Sequence, residues 1–255
     1  MTAPAVTRTR RARWPWVLLI AVVVLVALAV AAELVARAVL PGIVRSIVIE
    51  QLDLPSDQQL EVQASGVLLP QLLTGTLDEL QLSSDEVTIG GVTGTAHVTA
   101  TGVPLRGGAL GAATGTVSID QTQFATLLAH SQMPDAAIAL DAPNATLRGE
   151  ISLFGRGIPV GLTVTPGAED GDLLLTPVSA TLGGDEVDLQ ALAGRFGDIG
   201  ERLAGPQRLC IADQLPAGIT LTGLRVEGTR AVADISADGR IAVDPELLEN
   251  GTCPR

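Results

Sequence analysis

The chain has 255 residues, 28 acidic against 16 basic, and every basic residue is an arginine. Setting aside the four arginines ahead of the first apolar run leaves 12 basic against 28 acidic residues, near −16, a balance that repels nucleic acid and anionic headgroups. The lack of lysine excludes mechanisms that depend on one, such as a P-loop or a Schiff base.

Residues 1–13 form a polar tail carrying Arg8, Arg10, Arg11 and Arg13. Residues 14–32 then run without a charge or a strongly polar side chain. As a helix rising about 1.5 Å per residue they would span roughly 28 Å, close to the hydrocarbon thickness of a bilayer. No acid precedes Glu33, so the arginine asymmetry keeps the N-terminus in the cytoplasm and exports the chain beyond residue 32. Trp14 and Trp16, the only tryptophans, fall at the cytoplasmic interface, where indole rings settle. The rival reading is a cleaved signal peptide, with Ala27-Leu28-Ala29 or Ala29-Val30-Ala31 as the site. The apolar run is longer than a usual signal-peptide core, which favours a retained anchor, and both readings export the domain. The organisation expected is a cytoplasmic tail at 1–13, a transmembrane anchor at 14–32 and an exported domain at 33–255.

After the span, residues 33–52 stay apolar, but Glu33, Arg37 and Arg45 recur at helical spacing, as on a helix with one wet face. Pro41-Gly42 predicts a kink or a break there. Residues 53–57 end the segment with turn chemistry. From 59 onward β signals dominate. Residues 60–64 alternate, 87–89 lead to Gly90-Gly91, and 92–103 alternate again. Further strands are expected at 116–119, 145–154, 158–165, 173–182, 220–227 and 231–236, many separated by glycine turns as in an antiparallel meander. Helices are expected at 120–130, capped by Asp120, and at 188–203, with a very short one after Pro70.

Few residues are equipped for catalysis. His97 lies in an alternating strand and His130 ends a helix, with no metal-ligand spacing around either. There is no Gly-x-Ser-x-Gly elbow and no Cys-His arrangement. Asp234, Ser236, Asp238 and Gly239 echo the start of a calcium loop, but position twelve is Pro245, so a β-turn is the better reading. No catalytic residue, metal or cofactor is therefore expected. Cys210 and Cys253 are the only cysteines, and both lie on the exported side. An oxidising compartment would pair them, the alternative being two buried free thiols. Beyond the span there are three phenylalanines and no tyrosine or tryptophan, so the apolar content is aliphatic. That fits a greasy cavity or an ordinary core, and argues against carbohydrate platforms and stacking on single strands.

A helix leading into Gly66 and an apolar stretch is followed by Pro70-Gln71-Leu72-Leu73-Thr74-Gly75 and then Leu77-Asp78-Glu79-Leu80. A strand through 87–91 comes next, and Cys210 stands ahead of Leu215-Pro216-Ala217-Gly218-Ile219. Over residues 33–243 this resembles the LmeA-like phospholipid-binding family of actinobacterial envelope proteins. Members often carry a Phe-Pro-Phe type sequence where this chain has Val67-Leu68-Leu69-Pro70. The resemblance implies an α+β fold, a curved antiparallel sheet packed on helices and related to tubular lipid-binding folds. It also implies phospholipid binding and a role in envelope lipid or lipoglycan assembly.

The reading that results is a non-catalytic, single-pass protein of the cytoplasmic membrane, whose exported domain takes an acyl chain into an aliphatic groove between sheet and helices. Helical periodicity nominates Leu34, Ala38, Ile47 and Val48 on the post-membrane helix, with Phe124, Leu127 and Leu128 on the middle helix, as groove walls. The alternative is an anchored scaffold with a filled core that binds envelope proteins.

Overall fold

A computed structural model describes residues 14–51, 60–89, 92–123, 137–153, 156–189, 191 and 204–254. Helix α1 (Trp14–Gln51) is a single element of 38 residues. Leucine, valine and alanine on every side make its first half apolar all round, and every described side chain from 16 to 32 is exposed. It is the one described helix long and apolar enough to cross a membrane. At Glu33 the pattern changes. Glu33, Ala36, Leu40, Pro41, Val44 and Arg45 become half-buried at three- and four-residue intervals, while Leu34, Val35, Ala38, Val39 and Ile43 stay exposed. Of the two outcomes expected at Pro41-Gly42, a break does not form. Proline removes one backbone bond there, but Leu40 and Val44 on either side pack against the domain and hold the helix.

The described strands form two six-stranded antiparallel sheets. The first contains β1 (Glu61–Ala64), β2 (Thr76–Ile89), β3 (Val92–Pro104), β4 (Ala112–Asp120), β11 (Ile219–Glu227) and β12 (Arg230–Ala237), in the order β1-β2-β3-β4-β12-β11. The second contains β5 (Ala137–Asp141), β6 (Asn144–Leu153), β7 (Arg156–Glu169), β8 (Asp172–Leu182), β9 (Asp185–Asp188) and β10 (Gln207–Leu209). Its order is β10-β8-β7-β6-β5, with β9 also on β8. A short helix, α2 (Leu68–Thr74), joins β1 to β2. The α+β class with antiparallel sheets is what the sequence led one to expect.

The sheets meet where β11 packs on β7 and touches β5 and β8. A backbone bond from Ala142 N–H to the Gly228 carbonyl reinforces the junction. The Gln121 side-chain carbonyl also accepts from Leu140 N–H at 2.8 Å. Asp120 accepts from Thr122 N–H at 3.1 Å as the expected cap, and residues 121–123 are helical; the rest of that expected helix lies outside the described residues. Most of the expected 188–203 helix also lies outside them, although Asp188 accepts from Ala191 N–H at its start.

The densest core sits where α1 joins the first sheet. Val62, Leu68, Leu77 and Leu80 are buried together, with Ala36, Leu40 and Val44 of α1 and Leu72 of α2 packed against them. At the opposite end of the chain, Cys210 and Cys253 form a disulfide. Residues 213–218 and 247–251 run beside one another there, with Ala217 N–H donating to Glu249, Gly218 N–H to Leu247 and Gly251 N–H to Leu215.

Candidate functional site: two aliphatic sheet faces and the junction with α1

Side chains alternate across a strand, so register decides what each sheet face presents. In the first sheet, one row across all six strands reads Val62, Leu82, Val98, Gly115, Ile235, Leu221. A second row on the same face reads Ala64, Leu80, Ala100, Ala113, Ala237, Ile219. The opposite face carries Gln63, Gln81, Thr99, Thr114, Ser236 and Thr220 in one row. One face is therefore aliphatic and the other polar. Alanine and glycine recur on the aliphatic side, which keeps that surface shallow; a Cβ on Gly115 would sit 3.1 Å from Ile235 Cγ1.

The second sheet repeats the arrangement. Ile138, Leu147, Leu162, Ala180 and Val187 form one aliphatic row, and Val160 with Leu182 begins the next. Behind them Thr146, Thr163 and Ser179 line up, the two threonine hydroxyls 3.0 Å apart.

Neither aliphatic face is sealed. Near α1 the first sheet is covered, but Ala96, Val98, Val117, Ile119, Ala233 and Ile235 are only half-buried. In the second sheet Leu162 is 41% exposed and Leu182 59% exposed. Side chains of this kind gain about 25 cal/mol for each Å² of apolar area withdrawn from water, so the open faces favour an apolar ligand. The rows quoted from the first sheet contain no charged side chain, and in the second sheet Asp185, paired with Leu182 on the short strand β9, is the charge that ends the Val160 row, so a ligand held on these faces is recognised mainly through its hydrocarbon.

Of the sequence-nominated wall residues, Leu34 and Ala38 are exposed on the outer side of α1, away from the stripe that packs on the sheet. Ile47 and Val48 belong to α1, but their side chains are outside the described set, and Phe124, Leu127 and Leu128 lie outside the described residues. The structure thus does not bring Leu34 and Ala38 to the sheet faces. What the sequence reading missed is the parity of strands it had already located. The signal was there in Ala145, Leu147, Gly149 and Ile151, and again in Ile158, Val160, Leu162 and Val164, but the rows cannot be assembled without register.

The segment around Gly66–Gly75 is a junction rather than a groove. Glu33, just beyond the apolar run, accepts from Leu68 N–H and Leu69 N–H, both at 2.9 Å, and so caps the first turn of α2. Arg37 donates to Glu33 and to the Gly66 carbonyl. Gln71 is buried, donating to the Ser65 carbonyl at 2.9 Å and accepting from Asp78 N–H at 3.0 Å. A Cβ on Gly66, whose φ is +80°, would lie 2.6 Å from Gln71 Nε2, which explains the glycine. Gly75, also at φ +80°, ends α2 with its N–H on the Gln71 carbonyl.

Elsewhere the polar groups serve the fold. His97 is exposed on the polar face of β3. Asp234 accepts from the Thr116 hydroxyl at 2.8 Å and pairs with Arg225. Asp238 caps the next turn through Arg240 N–H, and the Arg240 side chain beside it holds its carboxyl below the ordinary range. Among the described residues no three histidine, cysteine or acidic side chains gather as metal ligands.

A family model described as LmeA-like phospholipid-binding matches residues 31–233. The chain belongs to that family. The match begins two residues before Glu33 and ends within β12, taking in the junction and both sheets but little of the apolar run and not Cys253. Membership supports a phospholipid-binding role. No curated protein and no solved structure matches the chain.

Proposed function

We propose that this is a membrane-anchored, exported phospholipid-binding protein that acts without catalysis in the assembly or maintenance of envelope lipid or lipoglycan. Membership of a phospholipid-binding family carries the reading, and the two half-open aliphatic faces supply a physical means. Ten acyl carbons laid on such faces would gain roughly 8 kcal/mol before ordering costs, enough for binding without a charged cluster. The aliphatic faces hold the chain, and Ile47, Val48, Phe124, Leu127 and Leu128 stay candidates for the same groove. Leu34 and Ala38, on the outer side of α1, would meet lipid from outside it.

Native mass spectrometry of the full chain released from detergent is expected to show bound phospholipid. Leu162→Asp with Leu182→Asp should reduce retained lipid at least about tenfold, equivalent to about 1.4 kcal/mol. The melting temperature should hold, because both positions already face solvent. A wild-type chain that carries no lipid, or variants that retain it unchanged, would refute the reading and favour a scaffold.

Anchoring and export are supported by the exposed apolar half of α1, the arginines before it and the disulfide beyond it. Alkaline phosphatase fused after Leu60 should be active, and a reporter fused there should be silent in the cytoplasm. Cytoplasmic reporter activity would reverse the topology, and a mature N-terminus near Ala32 would mean cleavage with export intact.

A further inference from the structure

Leu73 of α2 is 84% exposed, more than any other large apolar side chain described, those of the span included. Val67, ahead of α2, is 58% exposed, and Leu105, in the β3–β4 turn, is 38% exposed. Leu105 is tied to α2, since its N–H donates to the Gly75 carbonyl at 2.9 Å. Arg106 comes directly after it, exposed and with no carboxylate partner among the described residues; a Cβ on Gly75 would lie 3.8 Å from its Nε. One corner of an otherwise acidic domain thus gathers exposed aliphatic side chains around an unpaired guanidinium.

Its place in the fold says what covers it. Glu33 directly succeeds the apolar run, and the first two amides of α2 bond to its carboxylate. If residues 14–32 fill the hydrocarbon, Glu33 stands at its outer edge, and the whole of α2, about 10 Å long, starts from that level. The headgroup layer there is several Å thick. The strand direction agrees. Glu33 bonds to Leu68 and Leu69 and Arg37, one turn further along α1, to Gly66, so β1 runs towards the span; Ala64 at its near end pairs with Leu80, and the end of the sheet bearing Thr76 and Pro104 is the one nearest the span. Leucine and valine side chains in that layer reach the acyl carbons, and arginine pairs with phosphate in a bidentate fork.

We propose that α2 and the β3–β4 turn form a foot seated in the outer surface of the same membrane that α1 crosses, with Val67, Leu73 and Leu105 among acyl carbons and Arg106 on lipid phosphate. The foot fixes the first sheet at the leaflet surface, so that lipid passes between bilayer and aliphatic face over a short distance. This rests on the reading that α1 spans the membrane.

The test is spin labelling of the full chain in phosphatidylcholine–phosphatidylglycerol vesicles, with the native disulfide kept and single cysteines introduced by Leu73→Cys, Leu105→Cys, Leu25→Cys and Asp85→Cys. Labels at 73 and 105 are expected to favour oxygen over a water-soluble nickel chelate several-fold more than the label at 85, approaching the label at 25. Adding Leu73→Asp should return the label at 105 to water and leave the label at 25 in lipid. A label at 73 as aqueous as that at 85, with 25 in lipid, overturns the foot and leaves the anchor standing. A label at 25 in water refutes the anchor, and the foot with it. Protection at 73 from both reagents means a protein partner or a second copy covers the corner, and also overturns the proposal.

Discussion

Cys253→Ser is expected to lower the thermal midpoint of the oxidised, detergent-solubilised chain by roughly 10 °C. The bond closes a loop with a sequence separation of 43 residues. On the chain-entropy account, opening a loop of that size restores about 4 kcal/mol of freedom to the unfolded chain. For a domain of this length, each kcal/mol moves the midpoint by about 2–4 °C. The backbone bonds between 213–218 and 247–251 survive the substitution, so the segment should fray rather than detach. Hydrogen exchange should accelerate first at Ala217, Gly218 and Gly251, whose N–H groups make that ladder, and only later in β11. An oxidised wild type and a Cys253→Ser variant that melt together would show that the ladder alone fixes the C-terminus.

How far the fold was legible in the sequence depended on whether its signal was local. Period-two alternation is local, and the expected strands at 92–103, 145–154, 158–165, 173–182, 220–227 and 231–236 correspond to β3, β6, β7, β8, β11 and β12. Much of β2 was not read as strand, because Leu77 has the opposite parity to Leu80 and Leu82 and the pairing with β3 shifts register between Ser84 and Val87. β5, β9 and β10, of five, four and three residues, are too short for a pattern to register. The short helix after Pro70 was expected; α2 begins earlier, at Leu68, because its start is fixed by Glu33, 35 residues away in sequence. The candidate site was less legible than the fold. Helical periodicity at 33–48 does mark an apolar stripe, but the stripe that packs holds Ala36, Leu40 and Val44, out of phase with Leu34 and Ala38. Both sides of α1 carry apolar residues over 34–44. Composition then cannot say which one faces protein.

The same ambiguity makes α2 the place where fold and function separate most sharply. Leu68 and Leu73 lie five residues apart on one seven-residue helix and are the same residue type. Leu68 is 1% exposed and sits among Val62, Leu77 and Leu80, beneath the α1 stripe. Leu68→Ala should therefore destabilise the domain by about 3 kcal/mol, from lost transfer energy and the cavity left behind. That damage falls where α1 joins the first sheet, so protection should be lost earliest in β1 and β2. Leu73 touches little in the folded chain, and Leu73→Ala should change stability by no more than about 0.5 kcal/mol. Circular dichroism melts of both variants in the same detergent provide the comparison. A Leu68→Ala chain as stable as wild type would mean that the packing of α1, α2 and sheet does not hold the junction together. A Leu73→Ala chain that melts early would mean that Leu73 packs against the domain rather than facing outward. The expected result has one leucine holding the domain to α1 and the other facing outward, because the cap from Glu33 sets α2 with Leu68 towards the core.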